Sequence, residues 1–286
     1  MEETLYSERL PVIALRGLTV FPDNTAHFDV GRPKSAQALE RAMNTNQRVF
    51  LVTQRRLEDD DPGFADLFEI GTVAKVRQVL RLPGETVRIL VEGEARGRIE
   101  LALKTEPYLS ARITHIPAGP ELPFTPRVEA AARIAYAQFE EYLDLSQRPL
   151  NEEMVRILSS RDPGLISDVI AQSAALAYDA KQTLLEERNP YRRLLQCNRY
   201  MQRELEVLRL ENEMQDKVQT AMDKNQRDYY LREQLHVIHQ ELGDADEEDE
   251  PELLQFYWDA SASKSHDRGP GKLLPFPGRN GGEPEE

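Results

Sequence analysis

From residue 191 to residue 242 the chain contains neither glycine nor proline. At about 1.5 Å per residue such a run builds one helix roughly 80 Å long. Asn189 and Pro190 mark its start, a side chain that can cap the first turn followed by a ring whose fixed φ suits the first helical position, and Gly243 marks its end. Helices in small cores average about 10–14 residues, so one this long reaches from one body to another or pairs with a partner helix. Leu194, Met201, Leu208, Met222 and Tyr229 recur at seven-residue steps, with Leu205 on the companion seam. Asn198, Asn212, Gln215, Gln219 and Gln226 fill other seam positions, so only the first turns resemble a coiled coil. Leu194, Met201, Leu205 and Leu208 are the candidate oligomer contacts. Apolar content returns at Tyr229, Tyr230, Leu231, Leu235, Val237, Ile238 and Leu242, which predicts a helix anchored at both ends with a solvated middle.

Residues 10–116 alternate with period two, the pattern of strands with one face buried. Ala26, Phe28 and Val30 share one face; so do Val87, Ile89 and Val91, then Ile99, Leu101 and Leu103, then Leu109, Ala111 and Ile113. Residues 49–52 are an unbroken apolar run that suits a strand covered on both faces. Turns fall at Pro62-Gly63, Pro83-Gly84 and Gly93, and one helix opened by Pro33 carries Ala36, Leu39, Ala42 and Met43 on one side. These features predict a small, mostly antiparallel β domain over residues 1–117. The proline-rich segment 117–126 is the expected internal boundary, beyond which the period becomes 3.6. Thr125-Pro126 opens a helix with Val128, Ala131, Ala132, Ala135, Phe139, Tyr142 and Leu143 on one stripe. Asn151 opens another with Met154, Ile157 and Leu158; Asp162-Pro163 opens a third with Leu165, Ile166, Val169 and Ile170; a fourth near residues 178–187 buries Leu184 and Leu185. The class is therefore α+β: the β domain, then a helical subdomain over 118–243 that includes the long helix 190–243, then an acidic tail without pattern over 244–286.

The net charge is −14, and from Glu241 onward acidic residues outnumber basic ones 13 to 4. A nucleic-acid binder would present a basic face, so nucleic acid is not an expected partner. The single cysteine, Cys197, permits no disulfide within the chain and fits a reducing compartment. The first ten residues carry Glu2, Glu3 and Glu8 and no apolar stretch, and no run approaches the length of a membrane span, so a cytoplasmic location away from any membrane is expected.

No pair of residues makes an active site. Gly269-Pro270-Gly271-Lys272 lacks the glycine and the Ser or Thr that a phosphate loop needs at His266 and Leu273. Glu233, His236 and His239 share a helical face without a fourth metal ligand. Ser263, Lys264 and Ser265 lie in a stretch with no scaffold to activate them, and Asp59, Asp60 and Asp61 lack the glycine of a calcium loop. No catalytic residue, metal ligand or cofactor site is expected. Two apolar stretches in loops stand out instead as candidate contact surfaces: Leu18, Val20 and Phe21 after Arg16-Gly17, and Leu80 and Leu82 at a hairpin tip.

The order of these features resembles a known family. Leu10-Pro-Val-Ile-Ala-Leu-Arg-Gly-Leu-Thr-Val-Phe-Pro22 and Val30-Gly-Arg-Pro-Lys-Ser35 are similar to the opening of the amino-terminal domain of bacterial Lon, the ATP-dependent serine protease. Glu69-Ile-Gly-Thr-Val-Ala74, Val91-Glu-Gly93 with Arg96, Asp162-Pro163-Gly164, Asp228-Tyr-Tyr-Leu-Arg-Glu-Gln-Leu235 and Gln240-Glu-Leu-Gly243 extend the likeness over roughly residues 10–250. The resemblance implies a PUA-like β domain, a helical subdomain and a long helix joining an ATPase ring, in a region that recognises unfolded or tagged substrates and supports assembly. The family's ATPase module and Ser–Lys dyad lie in later parts, with no counterpart in this sequence. After Glu250 the sequence departs from the family through Phe256-Tyr-Trp258 into a Ser, Gly and Pro-rich stretch, as a truncated or frame-shifted product or a fusion scar would.

The expected function is a non-catalytic substrate-recognition and assembly module of a Lon-type protease. Its expected partners are unfolded or damaged proteins and other copies of itself or full-length Lon-type subunits. The alternative is a structural coiled-coil oligomerisation fragment that binds no client.

Overall fold

One strand organises the sheet. In the computed structural model, which describes residues 6–81, 86–117, 119, 123, 125–149 and 160–242, six strands are present: β1 (Ser7–Leu15), β2 (Thr25–Val30), β3 (Arg48–Thr53), β4 (Ile70–Arg81), β5 (Val87–Lys104) and β6 (Ser110–His115). β5, at 18 residues, pairs along one side with β4 and along the other with β2 and then β6. The order β2-β5-β4-β3-β1-β6, with β6 returning to β5, closes five strands into a cycle and leaves β2 outside it. The sheet is mixed: β1 and β3 run parallel, joined through β2 and helix α1 (Pro33–Met43), and every other pair is antiparallel.

Two apolar clusters use the two faces of this sheet. Leu10, Val12, Phe50, Val52, Val73, Ala111 and Ile113 come from around the cycle and fill it. Ile13, Leu15, Val49, Leu51, Val76, Ile89 and Val91 lie on the opposite face beneath Ala38, Leu39 and Ala42 of α1. The run 49–52 is thus buried on both sides, as its unbroken apolar character predicts. Two glycines of β5 permit the closeness of this packing. A Cβ at Gly97 would lie 2.6 Å from Ile113 Cγ2, and one at Gly93 would lie 2.2 Å from the Phe21 carbonyl oxygen. The loop before β2 is drawn onto β5 there, with Asp23 N donating to Gly93 O and Gly93 N to Asn24 O, each at 2.9 Å.

The alternation fails at one place. Leu101 and Leu103, expected on the buried face with Ile99, are exposed. Register shifts between Ile99 and Leu101 and between Ala102 and Lys104 insert extra residues on β5, so that Leu101 stands opposite Arg112 and the side-chain phase is lost.

The helices are α2 (Pro126–Leu145), α3 (Pro163–Ser173), α4 (Tyr178–Glu186) and α5 (Pro190–Leu242). Their starts follow the predicted chemistry. Thr125 Oγ1 accepts from Val128 N at 3.4 Å, an Asp162 carboxylate oxygen from Gly164 N at 2.8 Å, and Asn189 Oδ1 from Arg192 N at 3.0 Å, each followed by a proline. The helix expected after Asn151, with Met154, Ile157 and Leu158, lies outside the described residues, as do Leu82, Pro83, Gly84, Gly243 and the tail 244–286. The predicted stripe of α2 is buried in full and packs with Ile166, Val169 and Ile170 of α3, Leu184 and Leu185 of α4, and Leu194, Cys197, Met201 and Leu205 of α5. Phe21 and Ile70 from the β region join the same cluster.

The chain divides into two compact units, residues 1–218 and 219–286. Within the first, one ionic knot ties β5 to α3 and α5. Arg96 grips Asp168 with two bonds of 2.9 and 2.8 Å and donates through Nε to Leu185 O at 2.9 Å, while Arg193 Nε lies 2.9 Å from Asp168. The side chain of Asp168 is 7% exposed and that of Arg193 6%, so water cannot replace a lost partner. In the second unit, residues 219–240 of α5 are exposed on every side.

Replacing Asp168 by Ala strands two buried guanidinium groups, a change that typically costs about 3–5 kcal/mol. Urea unfolding followed by circular dichroism is expected to register a loss in that range. Glu213→Ala, which breaks only the exposed pair with Lys217, is expected to cost about 0.5 kcal/mol or less.

Candidate functional site

The apolar surface is distributed differently from the sequence expectation. Of the first loop candidates, Val20 is 2% and Phe21 0% exposed, and Leu18 is half-buried against the cluster beneath α1. Close approach at Gly93 folds this loop inward, where Phe21 N donates to Gln172 Oε1 of α3 at 3.1 Å. Val20 and Phe21 are core residues, unavailable to a partner. Leu80, by contrast, is 53% exposed near the end of β4 beside Val79, and Leu82 lies outside the described residues. Leu101 and Leu103, brought to the surface by the β5 register shifts, add exposed apolar area at the far end of that strand.

The oligomer candidates are corrected in the same way. Leu194, Met201 and Leu205 are buried in the helical core and Leu208 packs against it, so their seven-residue spacing serves contacts within the chain. A 3.5-residue seam and the docking stripe of a helix against its own neighbours look alike over three turns. The large exposed apolar residues of α5 lie beyond Leu205: Val207, Leu210, Met214 and Val218 in the first unit, and Met222, Tyr229, Tyr230, Leu231, Leu235, Val237 and Ile238 in the second. Leu231, Leu235 and Ile238, at steps of four and three, form a stripe of the kind that seats a second helix. The expected anchoring of this far end by packing is therefore not met by the described residues of the chain, where the whole stripe faces water.

The buried titratable groups are held by the packing and bonds of the fold. Cys197 is fully buried with Sγ 3.8 Å from Ser167 O, and burial pushes its thiol up to about 12, where no thiolate forms near neutrality. Burial, with Arg148 nearby, brings Lys181 down to about 8; its amine donates to Gln172 O at 3.4 Å. Ser167 Oγ donates to Gly164 O at 2.8 Å and accepts from Arg193 Nε at 3.1 Å. The acidic loop is pinned to the end of β1 and the start of α1: Asp60 pairs with Arg16 just after β1, a contact that holds its carboxyl below the usual range, and Asp61 pairs with Lys34 of α1 at 2.8 Å. Among the described residues no three His, Cys, Asp or Glu side chains are grouped to hold a metal ion, and no helix is long and apolar enough to cross a membrane.

Residues 9–203 match the family model described as the ATP-dependent protease La (LON) substrate-binding domain. The Lon protease of Syntrophomonas wolfei is 39% identical over 246 residues, which is 86% of this chain and 30% of that protein. The Lon protease of Desulforamulus reducens is 42% identical over 223 residues, 78% of this chain and 27% of its own length. The chain thus spans about 30% of the length of the curated relatives it matches. Among solved structures, the N-terminal domain of Mycobacterium avium complex Lon protease shares the fold with a TM-score of 0.50 at 22% identity, covering 68% of this chain and 98% of that one.

Burial separates the two stretches of α5 by experiment. Leu205→Asp places a charge in the helical core and is expected to cost about 3 kcal/mol or more in urea unfolding. Leu235→Asp, at a position 56% exposed, is expected to stay within about 0.5 kcal/mol of the parent chain. Alkylation of Cys197 by iodoacetamide at pH 8 is expected to proceed only as fast as the chain unfolds, and its rate in native buffer is expected to rise with the Leu205 substitution.

Proposed function

The chain belongs to the ATP-dependent protease La (LON) substrate-binding domain family, and we propose that it recognises unfolded or damaged polypeptides for a Lon-type protease without itself catalysing a reaction. The family match over residues 9–203 carries this reading, because it falls on the unit that holds both the closed sheet and the packed helices. Exposed Leu80, Leu101 and Leu103 supply apolar contact on the β region, residues 1–117, and the helical part, 118–243, supports it. Scattered contacts of this size bind weakly. A recognition module that must surrender its client to a motor benefits from fast release. The reactive groups described above are buried or held in structural bonds, which favours binding over chemistry. The net charge of −14 does not favour nucleic acid as a partner, and a cytoplasmic protease partner fits the unpaired Cys197.

A second reading is favoured by one observation, the exposed stripe Leu231, Leu235 and Ile238. In it α5 joins copies of this chain, or joins it to full-length Lon-type subunits, and assembly rather than client capture is the main task. The contacts are then these exposed residues and not Leu194, Met201, Leu205 and Leu208.

Fluorescence anisotropy with a permanently unfolded client, such as reduced and carboxymethylated lactalbumin, against the same protein in its native form distinguishes the readings. Preference for the unfolded form, reduced severalfold by Leu80→Asp, is expected. Equal or absent binding of the two forms, together with a concentration-dependent mass in sedimentation that Leu235→Asp abolishes, would leave the assembly reading alone.

A further inference from the structure

Five strands of the sheet have a neighbour on each side. β2 does not. It pairs with β5 from Thr25 opposite Glu92 to Val30 opposite Val87, and among the described residues no hydrogen bond reaches the backbone of residues 25–30 from its other side. In an antiparallel pair alternate residues turn their N–H and C=O groups away from the partner, so about three of the six residues of β2 present unpaired backbone donors and acceptors outward.

Proteins usually block such an edge with a proline, a bulge or a charge aimed across it. β2 contains no proline, and its register with β5 is unbroken. Its one acidic side chain, Asp29, is drawn back onto β5, where Arg88 donates to it at 2.6 and 2.9 Å. Thr25, His27 and Asp29 are exposed while Ala26 and Val30 are buried, so the strand is held firmly on its core face and its edge is left straight and open.

We propose that the free edge of β2 takes an extended segment of a client polypeptide as a seventh strand. This deepens the reading of the chain as a recognition module and rests on it. The chemistry of the edge selects its occupant: it offers main-chain hydrogen bonds, which a stretch without fixed structure can satisfy anywhere along its length and a folded domain only at an open strand edge of its own. Side chains matter only in that the segment must be extended and free of proline, so the edge would select little among client sequences. A second copy of this chain is the poorer occupant. One pair of six-residue strands falls well short of the roughly 1,200–2,000 Å² that stable interfaces bury, whereas a client needs only transient contact.

The test uses the full 286-residue chain and a fluorescent ten-residue peptide rich in Thr and Val, with two variants N-methylated at alternate residues in opposite phase. N-methylation removes N–H donors along one edge of the peptide and leaves its side chains in place. One phase is expected to weaken binding at least tenfold and the other less than twofold, and bound peptide is expected to slow amide hydrogen exchange at residues 25–30. Equal affinity of all three peptides, or slowed exchange around Val79 and Leu80 with β2 unchanged, overturns the edge site while leaving client recognition standing. Failure of every unfolded peptide to bind overturns both. Slowed exchange at residues 25–30 that tracks protein concentration without peptide assigns the edge to a second copy and also overturns the proposal.

Discussion

A single carboxylate holds the β and helical regions in one arrangement. Asp168 lies within α3, Arg96 on β5 and Arg193 in the first turns of α5, and both guanidinium groups converge on it within 3 Å. Removing three charges from water is costly, and apolar residues of similar volume in their place could give equal stability. Direction is what the ionic knot adds. The cluster around Phe21, Ile70 and Ile166 would tolerate sliding, because apolar contact is not directional. A bidentate Arg–carboxylate pair fixes both distance and orientation. Two further polar pins act in the same seam, Phe21 N to Gln172 Oε1 at 3.1 Å and Gln182 Nε2 to Ile70 O at 2.9 Å, and each would leave a buried group unpaired if the regions shifted.

How much of this was legible in the sequence depended on the range of the interaction. Local chemistry was: the caps at Thr125, Asp162 and Asn189, the helix opened by Pro33, the doubly buried run 49–52 and the stripe of α2 are each read from residues within a few positions of one another. Facing elements were not. Arg96 and Asp168 are 72 positions apart, and nothing near either signals the other. Val20 and Phe21 sit in a loop that sequence alone leaves at the surface, and only the lack of a Cβ at Gly93 lets β5 accept it. Leu101 and Leu103 keep a perfect alternation in sequence, and the β5–β6 register shifts cancel it. The candidate surface inherits these errors: spacing identifies which residues share a face but not whether the chain itself covers that face. Hence the spacing of Leu194, Met201 and Leu205 points to a partner helix, although the chain's own helices cover them.

The same limit explains α5. Its first third is stabilised by burial of Leu194, Cys197, Met201 and Leu205. Arg209 and Asn212 still bond to Glu141 and to Leu145 O of α2, and beyond them the side-chain bonds along the helix are i to i+4 pairs such as Glu213 with Lys217, Gln219 with Asp223 and Tyr230 with Gln234. Such pairs contribute about 0.2–0.5 kcal/mol each, too little to hold many turns of solvated helix against fraying. Residues 219–240 keep seven large apolar side chains in water, a composition that gains stability only when something covers it. The described residues of the two units therefore differ in kind: the first unit is packed around its own core, whereas residues 219–240 of the second bury none of their side chains.

In the proposed recognition role, weak and broad client binding would follow from the same features. Apolar contact at Leu80, Leu101 and Leu103 rewards hydrophobic side chains in any order, and a free strand edge rewards an available backbone whatever its side chains. Folded proteins largely fail both criteria, since most of their apolar side chains are buried and most of their amides paired. Denatured chains meet both. Neither feature alone gives high affinity: each apolar side chain fully covered contributes about 1.5–3 kcal/mol, and ordering a flexible segment consumes much of that gain. On the proposed reading, discrimination between folded and unfolded polypeptides would need no lock-like pocket on this surface, because a folded competitor already holds most of the groups that such a surface would contact.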